Sequence, residues 1–141
     1  MKRKLFAIAP LNYGECGKRQ HSASEHRDLV EFYKGLIAMR KYHPAFSLGT
    51  AEAVREHLHF IENDNVAAVG FVLDNLEGID PSERIVVLMN GSREAVKFNI
   101  PAGKYKWITD GSEWNVNGMG MLNTKGEIEV PAITGIILAE F

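Results

Sequence analysis

The chain has 141 residues, of which 45% are hydrophobic and 24% charged, and this composition is typical of one globular domain rather than a disordered segment. The formal net charge of −2 gives no indication of a nucleic-acid partner, and the single cysteine, Cys16, excludes an internal disulfide and a multi-cysteine zinc site. No apolar run reaches the ~20 residues that span a membrane. We therefore expect neither nucleic acid nor a membrane among the partners.

Charge is distributed unevenly along the chain. Residues 1–46 contain nine basic and four acidic side chains, whereas residues 47–141 contain seven and fourteen. This asymmetry predicts a basic helical segment that lies on an acidic sheet, and the alternative is a membrane-seeking tail.

Residues 1–23 are expected to be irregular. Leu5–Leu11 could form a short strand, and Asn12–Ser22 has the glycine and polar content of a loop. The apolar stretch behind the basic start is shorter than the roughly 7–15 uninterrupted residues of a signal peptide. The sequence therefore predicts no export signal, and it leaves open whether the protein is cytoplasmic or secreted.

Residues 24–46 predict one long amphipathic helix. Apolar side chains and one arginine recur at spacings of three and four residues, which places them on one helix face; they are Leu29, Phe32, Tyr33, Leu36, Ile37 and Arg40. We expect Leu36 and Ile37 to be buried against a sheet or against a second copy of the chain, in a homodimer formed through the helix. Gly35 costs the helix about 1 kcal/mol relative to alanine, which indicates close packing at that position.

Local signals mark both ends of this helix. Ser22 and Glu25 stand three residues apart ahead of the apolar run, as in a capping box, and Ser24 is a rival N-cap. At the other end, Pro44 pushes His43 out of helical geometry and ends the helix. We expect His43 to be a helix-end or interface residue.

Residues 47–141 predict an antiparallel β-sandwich of about seven to eight strands, so the fold class is mainly β. Short apolar or alternating runs recur at roughly 8–12-residue spacing with turn signals between them. A short helix is expected at Ala51–His57, and strands are expected at Leu58–Ile61, Val66–Asp74, Ile85–Asn90, Ala95–Ile100, Tyr105–Thr109, Glu127–Val130 and Thr134–Phe141. Asp110–Leu122 predicts a long glycine-rich loop. We expect Val87, Phe98 and Trp107 to share one core.

Two pairs of polar residues have spacings that functional sites also use. Glu127 and Glu129 share one face of a predicted strand, but their alternation with apolar neighbours predicts a solvated outer face. His57 and His59 have the spacing of two metal ligands on a strand, but no third ligand is close in sequence. We therefore predict no catalytic residue, no metal site and no cofactor in this chain.

The two tryptophans receive different interpretations. Trp107 lies in a predicted strand and is expected in the core. Trp114 lies in the predicted loop beside Asn115 and Asn117, where an exposed indole could stack on a sugar ring. We keep Trp114 as a candidate carbohydrate contact, and the alternative is a loop tryptophan folded back over the sheet edge.

Two parts of the chain resemble a known enzyme family. The segment HRDLVEFYKGLIAMRKYHPAF, residues 26–46, resembles the last barrel helix of α-amylase-superfamily enzymes, and most closely that of type I pullulanases. Residues 72–106 and 127–140, with their "PAGKY" turn and "VPA" final strand, resemble the all-β C-terminal domain that follows this helix. The resemblance runs from about His26 to Glu140, but it fails in residues 1–23 and is poor at Gly111–Asn123.

The resemblance implies a part of a glycosidase rather than a whole one. Glycoside hydrolysis needs two carboxyl groups beside the scissile bond, and in this family they come from barrel strands upstream of the last helix. The implied function is a non-catalytic C-terminal domain of a pullulanase-like α-glucan debranching enzyme, with the catalytic barrel as its partner. The alternative is an autonomous carbohydrate-binding module for α-glucans.

Overall fold

The computed structural model describes residues 26–141. These residues form two helices, one 3₁₀ turn and eight strands. In chain order they are α1 (Arg27–Tyr42), the 3₁₀ turn (Pro44–Ser47), α2 (Ala51–His57), β1 (Leu58–Ile61), β2 (Ala68–Leu73), β3 (Arg84–Asn90), β4 (Val96–Asn99), β5 (Gly103–Thr109), β6 (Met121–Thr124), β7 (Glu127–Val130) and β8 (Thr134–Glu140). No helix among them is long and apolar enough to cross a membrane.

The strands form two antiparallel sheets, which confirms the predicted mainly β sandwich. The large sheet has the strand order β1-β2-β3-β8-β5-β6, and the small sheet pairs β4 with β7. Strand β6 is not predicted from the sequence, where Asp110–Leu122 has the glycine content of a loop. Its first residue, Met121, pairs with Lys106 of β5. Four residues with a single partly buried apolar position give too little periodicity to reveal a strand.

The first hydrophobic core lies between the two sheets. Its buried side chains are Val72, Val86, Leu88, Val96, Phe98, Ile100, Tyr105, Ile128, Val130, Ile136 and Leu138, with Trp107 and Leu122 packed against them. The short strands obey period-2 alternation, because Phe98 and Ile128 point inward while Lys97 and Glu127 remain exposed. Phe98 and Trp107 therefore lie on the predicted side of the sheet.

A second core lies on the opposite face of the large sheet, under α1 and the 3₁₀ turn. It contains Met39, Ala45, Leu73, Leu76, Ile85, Val87, Ile108, Ile137 and Ala139. The prediction that Val87 shares a core with Phe98 was therefore wrong. Strand β3 is buried on both faces, and a continuous apolar run does not reveal which face each side chain occupies. The large sheet is thus the middle layer of three.

Helix α1 turns only part of its apolar surface toward the sheet. Met39 is buried, and Leu36 packs against the second core. Ile37 is not buried against the sheet, since its side chain is 54% exposed, and neighbouring Tyr33 is 59% exposed. Burial of Ile37 against a second copy of the chain stays a prediction. Tyr33 and Ile37 are one helical turn apart and share a face. The predicted N-cap residues Ser22 and Ser24 lie outside the described residues.

Candidate functional site

A buried polar cluster fixes the C-terminal end of α1 to the loop between β2 and β3. His43 Nδ1 donates a hydrogen bond to Asp80 Oδ1 at 2.8 Å, and the exposed fractions of the two side chains are 1% and 0%. The same carboxylate accepts hydrogen bonds from Ala45 N at 3.1 Å and Ser82 N at 2.9 Å. A buried carboxylate with this many donors is well compensated for its lost hydration.

The cluster contains a serine, a histidine and an aspartate, but it lacks the geometry of a catalytic triad. Ser82 Oγ lies 3.4 Å from His43 Nδ1, which is the nitrogen that already contacts Asp80. In a triad the serine and the carboxylate occupy opposite ring nitrogens. His43 Nε2 is buried and has no hydrogen-bond partner among residues 26–141. Aromatic rings of Tyr42 and Phe46 surround the imidazole. The cluster therefore has a structural role, and we call His43, Asp80 and Ser82 the lock because they fix the end of α1 to the loop between β2 and β3.

Trp114 makes the second attachment of α1 to the sandwich. Its backbone forms an isolated β-bridge with Thr109 at the end of β5, and Asn115 N donates to Ile108 O at 2.8 Å. The indole lies directly on Gly35, where an added Cβ would overlap the ring atoms. This contact confirms the close packing predicted at Gly35. Trp114 is thus folded back, over the helix rather than over the sheet edge.

A cleft of about 380 Å³ remains between Trp114 and the start of α1. It is lined by Asp28, Glu31, Phe32, Ser112, Glu113 and Trp114. Aromatic surface thus adjoins three carboxylates in the cleft, and no lysine or arginine from residues 26–141 lines it. Carboxylate oxygens accept hydrogen bonds from ligand hydroxyl groups, and an indole offers an apolar face to a sugar ring.

Asp110 holds the loop that carries Trp114. Burial raises the pKa of the Asp110 carboxyl, but hydrogen bonds from Glu113 N, Ser112 N and Ser112 Oγ outweigh this effect and hold the pKa below its ordinary value of 3.8. The ionised carboxylate therefore organises the turn that positions the indole.

We expect the Asp110 carboxyl to titrate below 3.8 in the folded protein. Because its pKa is lowered by folding, its contribution to stability is present above the unfolded pKa and is lost as the pH falls through the folded pKa. A carbon-13 carboxyl titration by NMR measures the midpoint, and Ser112→Ala should raise it because one donor is removed. A midpoint of 3.8 or higher in the wild-type protein would contradict the assignment.

Gly35→Ala tests the contact between α1 and Trp114. In an exposed helix this change would stabilise the protein by about 1 kcal/mol. Here we expect destabilisation of about 1–3 kcal/mol, because the new methyl group meets a packed indole. Denaturant unfolding gives the sign of the change in the free energy of unfolding. Gly49→Ala is the control, because a Cβ at Gly49 meets open space. Stabilisation by Gly35→Ala would mean that the indole does not lie on the helix.

A larger cleft, of about 540 Å³, lies at the loop between β2 and β3. Its lining includes Asp80 and Glu140, and both carboxylates are already engaged. Asp80 belongs to the buried lock, and Glu140 Oε2 accepts a hydrogen bond from Arg84 Nη1 at 2.9 Å. Asp80 and Glu140 are consequently not available as a pair of free carboxyl groups in this cleft.

The remaining sequence candidates lie apart from both clefts. Glu127 and Glu129 are exposed on β7, and Glu127 pairs with Lys97 at 2.9 Å. His57 does not share a strand with His59, because it is the last residue of α2, where its Nδ1 contacts Asp74 O at 3.0 Å. Residues 26–141 contain no group of three or more histidine, cysteine, aspartate or glutamate side chains arranged to hold a metal ion.

Fold and attachments together define an antiparallel β-sandwich domain with one helix fixed on the outer face of its large sheet. Residues 54–113 match the family model described as "Pullulanase, all-beta domain". This match confirms the resemblance of the chain to the pullulanase all-β C-terminal domain.

Individual pullulanases show the same relationship. The protein from Bacillus subtilis (strain 168) is 29% identical over 72 residues, which are 51% of this chain and 10% of that protein. The structure of the Bacillus acidopullulyticus pullulanase aligns with a TM-score of 0.75 and 27% identity over 84% of this chain and 14% of its own. The Paenibacillus barengoltzii pullulanase, solved with maltohexaose and α-cyclodextrin, aligns with a TM-score of 0.67 and 32% identity over 84% and 17% of the two chains. This chain thus spans less than a fifth of each relative.

Proposed function

We propose that this domain is the non-catalytic C-terminal scaffold of a pullulanase-like α-glucan debranching enzyme, in which it stabilises the catalytic barrel. The supporting observation is the attachment of α1. The helix is fixed to the sandwich through Trp114 and through the lock of His43 and Asp80, while Tyr33 and Ile37 remain exposed. A helix fixed in this way presents a rigid apolar face to a partner.

Co-expression with a truncated pullulanase tests the scaffold. The second protein would be the Bacillus acidopullulyticus enzyme shortened to end before the helix that aligns with α1. We expect this chain to co-purify with it and to raise its melting temperature. Ile37→Glu should abolish co-purification, because it places a charge in the contact. Val66→Glu is the matched control, since Val66 is fully exposed on the turn between β1 and β2.

Two results would contradict the scaffold. One is a shortened enzyme that never co-purifies with the wild-type chain, and the other is equal co-purification of the Ile37→Glu variant.

A homodimer would use the same face of α1, and sedimentation at micromolar concentration detects it. A dimer that survives both Ile37→Glu and Tyr33→Glu would not be formed through this helix.

The purified chain alone should not hydrolyse pullulan. A retaining glycosidase needs two carboxyl groups about 5–5.5 Å apart on rigid supports, and we assign those groups to the barrel of the parent enzyme. Release of reducing sugar at high protein loading is the measurement. Turnover that disappears in Glu127→Gln or Glu129→Gln would overturn this assignment and establish a site on β7.

α-Glucan binding is the second candidate function, and the cleft beside Trp114 is the observation that favours it. We expect retardation of the wild-type chain in a native gel that contains pullulan. Trp114→Ala and Glu113→Ala should both remove the retardation, whereas Tyr33→Ala, on the opposite side of α1, should keep it. Because Glu113 is exposed at the rim, its variant separates glycan contact from the packing of Trp114 on Gly35. Equal mobility with and without pullulan would exclude this function.

A further inference from the structure

Helix α1 leaves an apolar part of the large sheet uncovered. Phe60 is 73% exposed, Val69 and Met89 are also exposed, and Phe71 is half-buried. Register pairs Phe60 with Phe71 and Val69 with Met89, so the four side chains adjoin on β1, β2 and β3. The rings of Phe60 and Phe71 meet edge to face, with centroids 6.3 Å apart. We call these four residues the uncovered patch.

The position of α1 explains why residues 26–141 provide no cover for the patch. Trp114 follows β5 and contacts the helix at Gly35, and the lock of His43 and Asp80 fixes the end of the helix at the loop that follows β2. The patch lies at the edge strand β1 and at the ends of β2 and β3 that are farther from this loop. Phe71 packs against the second core, so the patch lies on the same sheet face as the helix. A further apolar segment of the right size could therefore lie beside α1 on this face.

We infer that the uncovered patch is the docking site for residues Leu5–Leu11 of the same chain. This segment, LFAIAPL, contains four large apolar side chains and no charge. Its chemistry matches a patch of two aromatic and two aliphatic side chains. The inference rests on residues that the scaffold role does not use, since that role uses Tyr33 and Ile37 of α1.

The length of the connection permits this docking. The chain between Leu11 and Arg27 extends to about 50 Å when fully stretched. The six strands of the large sheet span only about 24 Å, at about 4.8 Å between neighbours. The helix itself is about 24 Å long, because each of its residues rises about 1.5 Å. Every position on this sheet face is consequently within reach of residues 5–11.

Tethering and charge favour this segment over a separate molecule. A segment tethered to its site by a short linker has an effective concentration in about the millimolar range, well above that of a second copy in a micromolar solution. Lys2, Arg3 and Lys4 directly precede the apolar run. Exposed Glu62 and Asp64 directly follow β1. Basic side chains thus adjoin the apolar segment and acidic side chains adjoin the patch, so the two charges are complementary.

Disulfide trapping in the full-length chain tests the contact. Cysteines are introduced by Phe6→Cys and Phe60→Cys in a Cys16→Ser background, and the protein is oxidised at micromolar concentration. We expect an intramolecular disulfide that forms about tenfold faster than in the control pair Phe6→Cys and Met121→Cys. Met121 is a fair control because it is exposed on the same sheet face but at the opposite edge, on β6. Equal rates in the two pairs would overturn the inference, as would disulfides that form only between chains and so assign the patch to a second copy.

Hydrogen exchange supplies a measurement without new cysteines. Phe6→Asp combined with Ile8→Asp should increase amide exchange along β1 about tenfold, because the cover over Phe60 is lost. Arg19→Asp combined with Gln20→Asp introduces two aspartates between the segment and α1 in the sequence and should leave exchange along β1 unchanged. Unchanged exchange in both double variants would show that the segment does not cover the patch, whether or not the chain still associates with a pullulanase barrel.

Discussion

Asp80→Ala should destabilise the domain by about 3–5 kcal/mol, because it leaves His43 buried without its partner. The substitution also removes the acceptor of the Ala45 and Ser82 backbone amides, which begin the 3₁₀ turn and shape the loop between β2 and β3. A domain of this size has only about 5–15 kcal/mol of stability, so the loss is a large part of the total. Urea unfolding monitored by tryptophan fluorescence measures it.

Glu77→Ala is the matched control for Asp80→Ala. Glu77 is an exposed carboxylate in the same loop, and its removal should change stability by no more than about 0.5 kcal/mol. The loss of stability for Asp80→Asn should lie between the losses for Asp80→Ala and Glu77→Ala, because an amide oxygen still accepts a hydrogen bond but carries no charge. A loss below about 1 kcal/mol for Asp80→Ala would mean that the lock does not hold α1 to the sandwich.

Phe98→Ala is expected to have the other large effect, a loss of about 3–5 kcal/mol. Phe98 is 1% exposed in the core between the sheets, and its ring lies against Gly70 of β2, where an added Cβ would be only 3.0 Å from it. The small sheet has two strands, so it depends on such contacts for its attachment. Thermal unfolding by circular dichroism follows the loss.

The neighbouring substitution Lys97→Ala gives the comparison for Phe98→Ala. Lys97 points to solvent on the same strand, and its side chain pairs only with exposed Glu127 among the described residues. Ion pairs between exposed side chains add little stability. If Lys97→Ala and Phe98→Ala lower the melting temperature equally, β4 does not have the described orientation. The alternation of buried and exposed residues would then be inverted.

The sequence predicts the fold wherever one face of an element is exposed to solvent and the other is buried. Val96 and Phe98 alternate with charged or polar neighbours, and so do Ile128 and Val130, so both strands of the small sheet are recognisable. The prediction fails where that contrast disappears. Val87 lies in a strand covered on both sides, and the exposed Ile37 belongs to an apolar helix surface wider than its contact with the sheet.

The attachments of α1 are less visible in the sequence. Gly35 indicates that something packs closely on the helix, but no local pattern identifies Trp114 as that group. Pro44 marks the helix end and draws attention to His43, yet the partner Asp80 lies 37 positions later in a polar loop. A hydrogen bond between distant residues leaves no periodicity, so only the tertiary structure reveals it. The candidate carbohydrate contact at Trp114 stays a prediction.

The two attachments also determine when α1 becomes ordered during folding. An isolated helix of 16 residues is marginal in water, and α1 carries a glycine at its centre. Its two fixed points are supplied by loops that exist only after β2 has paired with β3 and β5 has paired with β6. Local contacts usually form before distant ones. The hydrogen bonds within α1 are local, but the helix depends on contacts with Asp80 and Trp114, which lie far along the chain. We therefore expect the sandwich to fold first and the helix at the beginning of the described chain to become ordered last.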